Sequence, residues 1–198
     1  MKLDYLEKQV KQILSHEPSG HDWQHIQRVL NNAKAILASL DQEVDRELVL
    51  AACLVHDLID SKLDSSLRLF DQQVQVLLAQ AQATPQQIEA IDSIIHHLSY
   101  RDNQAYRHRL SLEGQVVQDA DRLDALGAVG IARCFQYGGH KGQLMYGHEA
   151  SSVQHFYDKL LKLADLMNTA IGHQIAHERT AYMEAFLQQL QAEVEGQA

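Results

Sequence analysis

Hydrophobic residues recur every three to four positions along most of this chain, the period of helices buried on one side. Leu3, Leu6, Val10, Ile13 and Leu14 trace a first stripe, which stops at the turn-forming cluster His16-Glu17-Pro18-Ser19-Gly20. A second stripe opens at Asp22, runs through Trp23, Ile26, Val29, Leu30, Ala33, Ile36 and Leu37, and ends near Asp41. Asp45 stands where an N-cap belongs, ahead of a third helix through Leu48, Val49, Ala52, Cys53 and Val55. The spacing then predicts a glutamine-rich helix over residues 67–83. Another opens at Thr84-Pro85-Gln86-Gln87, with Thr84 as cap, Pro85 in the first turn and Gln87 closing a capping box. Ile88, Ile91, Ile94, Ile95 and Leu98 form its buried face. Ser111 opens a helix carrying Val116, Val117, Ala120, Leu123 and Leu126, after which Gly127 and Gly130 bend the chain or let it pack closely. Residues 137–147 read as a Gly-rich loop, followed by helices over about 150–167 and 173–194. No long period repeats, which argues against a solenoid.

Composition agrees with an all-α protein. Hydrophobic residues make up 45% and charged residues 22%, with only 2 prolines and 10 glycines, a balance that suits packed helices better than a β-sandwich. The 198 residues fit one domain, able to bury roughly 70% of the surface its unfolded chain exposes. A net charge of -9, from 17 basic and 26 acidic residues, argues against an extended nucleic-acid surface or an anionic membrane as partner, though a local basic pocket is compatible with it. The opening MKLDYLEKQV lacks an apolar signal core, and the longest apolar run, Leu48 to Val55, is far below the ~20 residues of a bilayer span. The expected location is therefore the cytoplasm. Cys53 and Cys134 lie in apolar surroundings and read as small core residues, since two isolated cysteines make no disulfide framework.

Three segments break the apolar pattern with ionisable groups. In Ala51-Ala52-Cys53-Leu54-Val55-His56-Asp57-Leu58 a His-Asp pair interrupts a run that otherwise reads as core. An unpaired buried carboxylate costs several kcal/mol, so Asp57 needs a cation or strong donors, unless the helix ends at Val55 and the pair faces solvent. In Gly20-His21-Asp22-Trp23-Gln24-His25-Ile26-Gln27-Arg28, spacings of four and three bring His21, His25 and Arg28 near one helical face. A neutral imidazole can lend a lone pair to a metal, but each of these side chains could equally sit at the surface or at a cap. In Gln118-Asp119-Ala120-Asp121-Arg122-Leu123-Asp124 one aspartate should face inward, and the apolar positions around it do not choose between Asp119 and Asp121.

Taken in order, His25, His56-Asp57 and Asp121 resemble the H…HD…D signature of HD-domain metal phosphohydrolases. Further segments extend the resemblance: GHDWQHIQRV, Asp60-Ser61-Lys62, Ile94-Ile95-His96-His97-Leu98-Ser99-Tyr100, DADRLDALGAVGIAR, the Tyr-Gly-Gly stretch, Asp158-Lys159-Leu160-Leu161-Lys162-Leu163 and Met167-Asn168-Thr169. Together they look like the small bacterial HD hydrolase family of the YedJ and YpgQ type, over about residues 3–195. That resemblance implies an all-α HD-domain helical bundle, with residues 1–198 as a single HD domain.

The resemblance also assigns roles. It implies His25, His56, Asp57 and Asp121 as ligands of a divalent metal, selecting Asp121 through the superfamily's Ala-Asp pair and leaving His21 as a pocket residue that reaches substrate. A mixed nitrogen and oxygen set suits Mn²⁺, Fe²⁺, Co²⁺, Ni²⁺ or Zn²⁺, and occasionally Mg²⁺. Asp60 then works with Asp57 in the catalytic centre, as general base or water anchor. His21, Arg28, Lys62, His97, Arg122 and Lys159 are candidates for binding a phosphorylated substrate, since carboxylates alone would repel a polyanion. The implied activity is phosphoester or phosphoanhydride hydrolysis on a small phosphorylated substrate, most naturally a nucleotide, by a pyrophosphohydrolase or a nucleotidase. Two other functions share the signature: a regulatory module that binds without turnover, and a di-iron oxygenase recruiting His96 and His97. A homo-oligomer is compatible with the amphipathic stripes. Lys141, in the Gly-rich stretch, is a further candidate for closing over phosphate.

Overall fold

A computed structural model describes residues 1–15, 17, 21–60, 63, 65–98 and 109–197. Every regular element among them is helical: α1 (Leu3–Ile13), α2 (Trp23–Ala38), α3 (Arg46–Val55), α4 (Asp71–Gln80), α5 (Pro85–His96), α6 (Leu112–Asp124), α7 (Gly127–His140), α8 (Ser152–Asp158) and α9 (Ala170–Val194). Two short 3₁₀ turns, Leu160–Lys162 and Ala164–Leu166, stand between α8 and α9. The chain forms two compact groups, residues 1–121 and 122–198.

In the first group α3 packs against α1, α2 and α5, and α4 packs on α5. Its residues Leu48, Val49, Ala51, Ala52, Cys53, Leu54 and Val55 are all buried, as a helix apolar on every side must be. Burial pushes the Cys53 thiol above its ordinary range. The starts of these helices follow local chemistry. Asp22 accepts the His25 N–H at 2.8 Å, Asp45 accepts that of Leu48 at 3.0 Å, and Thr84 and Gln87 close their capping box at 3.2 and 3.1 Å. In the second group α7 packs on α8 and α9, around a cluster of the Phe135, Phe156 and Phe186 rings. Cys134 lies half-buried there, its thiol 3.4 Å from the Ser152 carbonyl.

Element boundaries differ from the periodic pattern where the backbone finds other partners. The helix expected over 67–83 is only Asp71–Gln80, because the Leu69 N–H is taken by the Leu58 carbonyl at 2.7 Å and the chain turns through a left-handed Gln82 at φ 62°. The expected loop at 137–147 begins later, since α7 continues through Tyr137-Gly138-Gly139-His140. Gly138 is there for close packing rather than for a turn: a Cβ on it would stand 2.0 Å from the Ser152 Oγ. The helix expected over 150–167 stops at Asp158, as Lys159 leaves helical geometry at φ -136° and ψ -57°. Residues 160–166 continue only as the two 3₁₀ turns. Between α6 and α7 the chain breaks at Ala125-Leu126, and Gly127 takes a positive φ of 69°, a region open to glycine at little cost.

Candidate metal centre

Three helices of the first group deliver five ionisable side chains to one place. α2 carries His25, a residue only 1% exposed, while His21 stands just ahead of that helix, half-buried. α3 ends at Val55, so His56 and Asp57 lie in the turn that follows it. They do not face solvent: each is only 6% exposed. α6 carries Asp121, on its half-exposed side.

Donor atoms converge there. His25 Nε2 is 3.1 Å from Asp57 Oδ2, 3.4 Å from His56 Nε2 and 3.6 Å from Asp121 Oδ1. His56 Nε2 is 3.4 Å from Asp57 Oδ1 and 3.7 Å from Asp121 Oδ1. Donors bound to one first-row divalent ion at roughly 2.0–2.2 Å stand roughly 3.0–3.6 Å apart. Most of these separations fall in that range, and among the described residues two metal-capable groups share His25: His25 with His56 and Asp121, and His25 with His21 and Asp57. One tautomer is fixed independently, because the His56 Nδ1–H donates to the Cys53 carbonyl at 2.9 Å and so turns the Nε2 lone pair toward the centre.

Electrostatics favour a positive charge at this point. Burial pushes Asp57 up, but the His56 charge and hydrogen bonds from His21 and His25 outweigh it and hold the carboxyl well below its usual range. Asp121 is likewise held down, its desolvation overcome by His56 and His25. His56 is held above the ordinary imidazole range, since Asp57 and Asp121 outweigh its own burial. A divalent ion would replace those protons as counter-charge.

Two further groups of this constellation were not expected from the sequence. Glu17, 7% exposed, accepts the His21 backbone N–H at 3.1 Å; its only trace in the sequence is a carboxylate four residues before that histidine. Asn32, buried in the apolar stripe of α2, donates from Nδ2 to the Ala120 carbonyl at 3.0 Å and ties the helix of His25 to the residue beside Asp121. Its helical register with Val29, Ala33 and Ile36, which the adjacent Asn31 does not share, was the available signal.

The other expected residues that are described stand outside the two metal-capable groups. Asp119 is fully buried on α6 and, unlike Asp121, belongs to no metal-capable group among the described residues. Asp60 lies in the turn after the His-Asp pair, its N–H donating to the Asp57 carbonyl at 3.0 Å. Arg28 is half-buried on α2. His97 donates from Nδ1 to the Ser93 carbonyl at 2.6 Å and lines a shallow cavity of about 230 Å³ with Ser93, Arg109 and Ser111. His96 pairs with Asp71 at 3.3 Å. Arg122, in the second group, is 8% exposed and donates to the Leu166 carbonyl. Lys159 follows α8, half-buried, and Lys141 holds its ammonium 5.6 Å from the Tyr137 ring centroid. Lys62 lies outside the described residues.

Comparison with known proteins identifies the frame that holds this centre, because the HD domain model matches residues 22–126, a span containing His25, His56, Asp57 and Asp121. The chain belongs to the HD domain family. Among HD relatives, YpgQ of Bacillus subtilis is 43% identical over 188 residues, covering 94% of this chain and 91% of YpgQ. The crystal structure of that YpgQ in complex with ADP superposes with a TM-score of 0.84 and 38% identity, covering 97% of this chain and 94% of the other. An HD-superfamily hydrolase of Bacillus thuringiensis superposes with a TM-score of 0.80 and 39% identity, covering 98% and 97%. No helix among the described residues is long and apolar enough to cross a membrane.

Proposed function

We propose that this chain is a metal-dependent phosphohydrolase whose substrate is a nucleotide. The observation that carries the reading is that the Nε2 atoms of His25 and His56 lie 3.1–3.7 Å from each other and from the carboxylates of both Asp57 and Asp121. These four side chains would hold Mn²⁺, Fe²⁺, Co²⁺, Ni²⁺ or Zn²⁺, with Mg²⁺ as a poorer fit to two imidazoles. When bound, such an ion acidifies a water ligand and offsets charge on a phosphoryl group. The ADP complex of the YpgQ relative supports a nucleotide as substrate.

The chain's own residues supply the rest of the chemistry in this reading. Asp60, joined to Asp57 through one backbone hydrogen bond of 3.0 Å, orients the attacking water and takes its proton. Arg28, three residues beyond His25 on α2, offers a guanidinium to the substrate's phosphate oxygens. His97, with Arg109 beside it, contacts a more distant part of the substrate.

The test is elemental analysis of chelator-free protein followed by a panel of nucleoside mono-, di- and triphosphates with Mn²⁺, resolving phosphate from pyrophosphate. Bound metal and metal-dependent release of either product are expected. Nucleotide binding without product would reduce the protein to a binding module, and absence of metal would overturn the reading altogether.

A further inference from the structure

We propose that His21 is a positioning residue: it neither ligates the metal nor contacts substrate, but fixes the plane of the Asp57 carboxylate. This inference rests on the metal reading above. His21 Nδ1 stands 2.7 Å from Asp57 Oδ2. That is shorter than any of the pairs among the four expected ligands, which are 3.1–3.7 Å apart. An ionised carboxylate only accepts, and an Nδ1–H that donates to it has no lone pair to offer a metal.

Asp57 needs such a partner. The χ2 torsion of aspartate is broad, leaving the carboxylate plane soft unless an oxygen is held, and Asp57 lies in a turn past the end of α3 rather than within it. His56, its neighbour, has its own brace in the Cys53 carbonyl at 2.9 Å. For Asp57 the corresponding contact comes from His21, which is itself held from behind, its backbone N–H donating to Glu17 Oε2 at 3.1 Å. The Glu17, His21 and Asp57 contacts form a continuous outer layer on one side of the centre. Layers of this kind typically change metal affinity by 10–100-fold when broken.

The experiment titrates metal-free wild-type, His21→Ala and His21→Asn proteins with Mn²⁺, with circular dichroism of each as a folding control. The asparagine amide N–H stands near the position of imidazole Nδ1–H and keeps the donor. His21→Ala should weaken Mn²⁺ binding by roughly 10–100-fold at an unchanged stoichiometry of one per chain, and His21→Asn should recover most of that loss. At saturating Mn²⁺, KM for the nucleotide should be unchanged in both variants. Unaltered Mn²⁺ affinity with a raised KM would make His21 a substrate contact and overturn the proposal. Failure of asparagine to rescue a folded protein would also sink it, and a wild type that binds no Mn²⁺ would take the metal reading down with it.

Discussion

At the scale of single residues, the two aspartates of Asp119-Ala120-Asp121 separate cleanly. Two positions along a helix differ by about 200° in direction, and α6 buries Asp119 completely while Asp121 turns a half-exposed face toward His25 and His56. Asp121→Ala is therefore expected to abolish metal retention and turnover with the fold intact. Asp119→Ala should retain metal but lose stability, by roughly 1–3 kcal/mol, because it strips a buried acceptor from groups that depend on it. Metal content and thermal melting of the two variants check both outcomes, and metal lost only from Asp119→Ala would contradict the assignment. Asp60→Asn tests a different role. It should lower kcat by roughly 10²-fold or more, the scale of a lost general base, with Mn²⁺ still bound; loss of the metal would show Asp60 to be a ligand.

Among the elements, α3 matters most, since it carries the His-Asp turn and touches α1, α2 and α5. Its start depends on Asp45, which caps Leu48 and also accepts from Gln87 Nε2 at 3.0 Å, joining the starts of α3 and α5. Asp45→Ala should destabilise the protein by ~1 kcal/mol, read from denaturant midpoints. Partial burial pushes the Asp45 carboxyl up, but the bonds from Gln87, Leu48 and Glu47 outweigh it and leave it below the ordinary value. A depressed carboxyl stabilises above the pH at which its unfolded form ionises, about pH 4, and loses that contribution as pH falls through its folded value. The gap between wild type and Asp45→Ala should thus be constant near neutral pH and shrink below about pH 4. A gap that persists in acid would show that the cap acts without its charge.

For the molecule as a whole, a ligand that binds only the folded state raises its stability by mass action. Mn²⁺ at about a hundred times its dissociation constant should add roughly 2.7 kcal/mol, seen as a rise in Tm that chelator reverses and Asp121→Ala lacks. An unchanged Tm in wild type would count against the centre. The sequence alone was enough for most of the helices and for the caps Asp45 and Thr84, because burial period and capping are local: each of the two bonds a backbone N–H three residues on. It was also enough for the order of His25, His56-Asp57 and Asp121, through their resemblance to a known signature. Boundaries escaped it wherever a distant partner intervened, as when the Leu58 carbonyl takes the Leu69 N–H. The metal geometry escaped it for the same reason. Periodicity says whether a side chain faces inward, but coordination requires atoms from α2, α3 and α6 to lie within a few ångströms of each other. That distance is set by packing and by bonds such as Asn32 to Ala120, 88 residues apart, which only the tertiary structure decides.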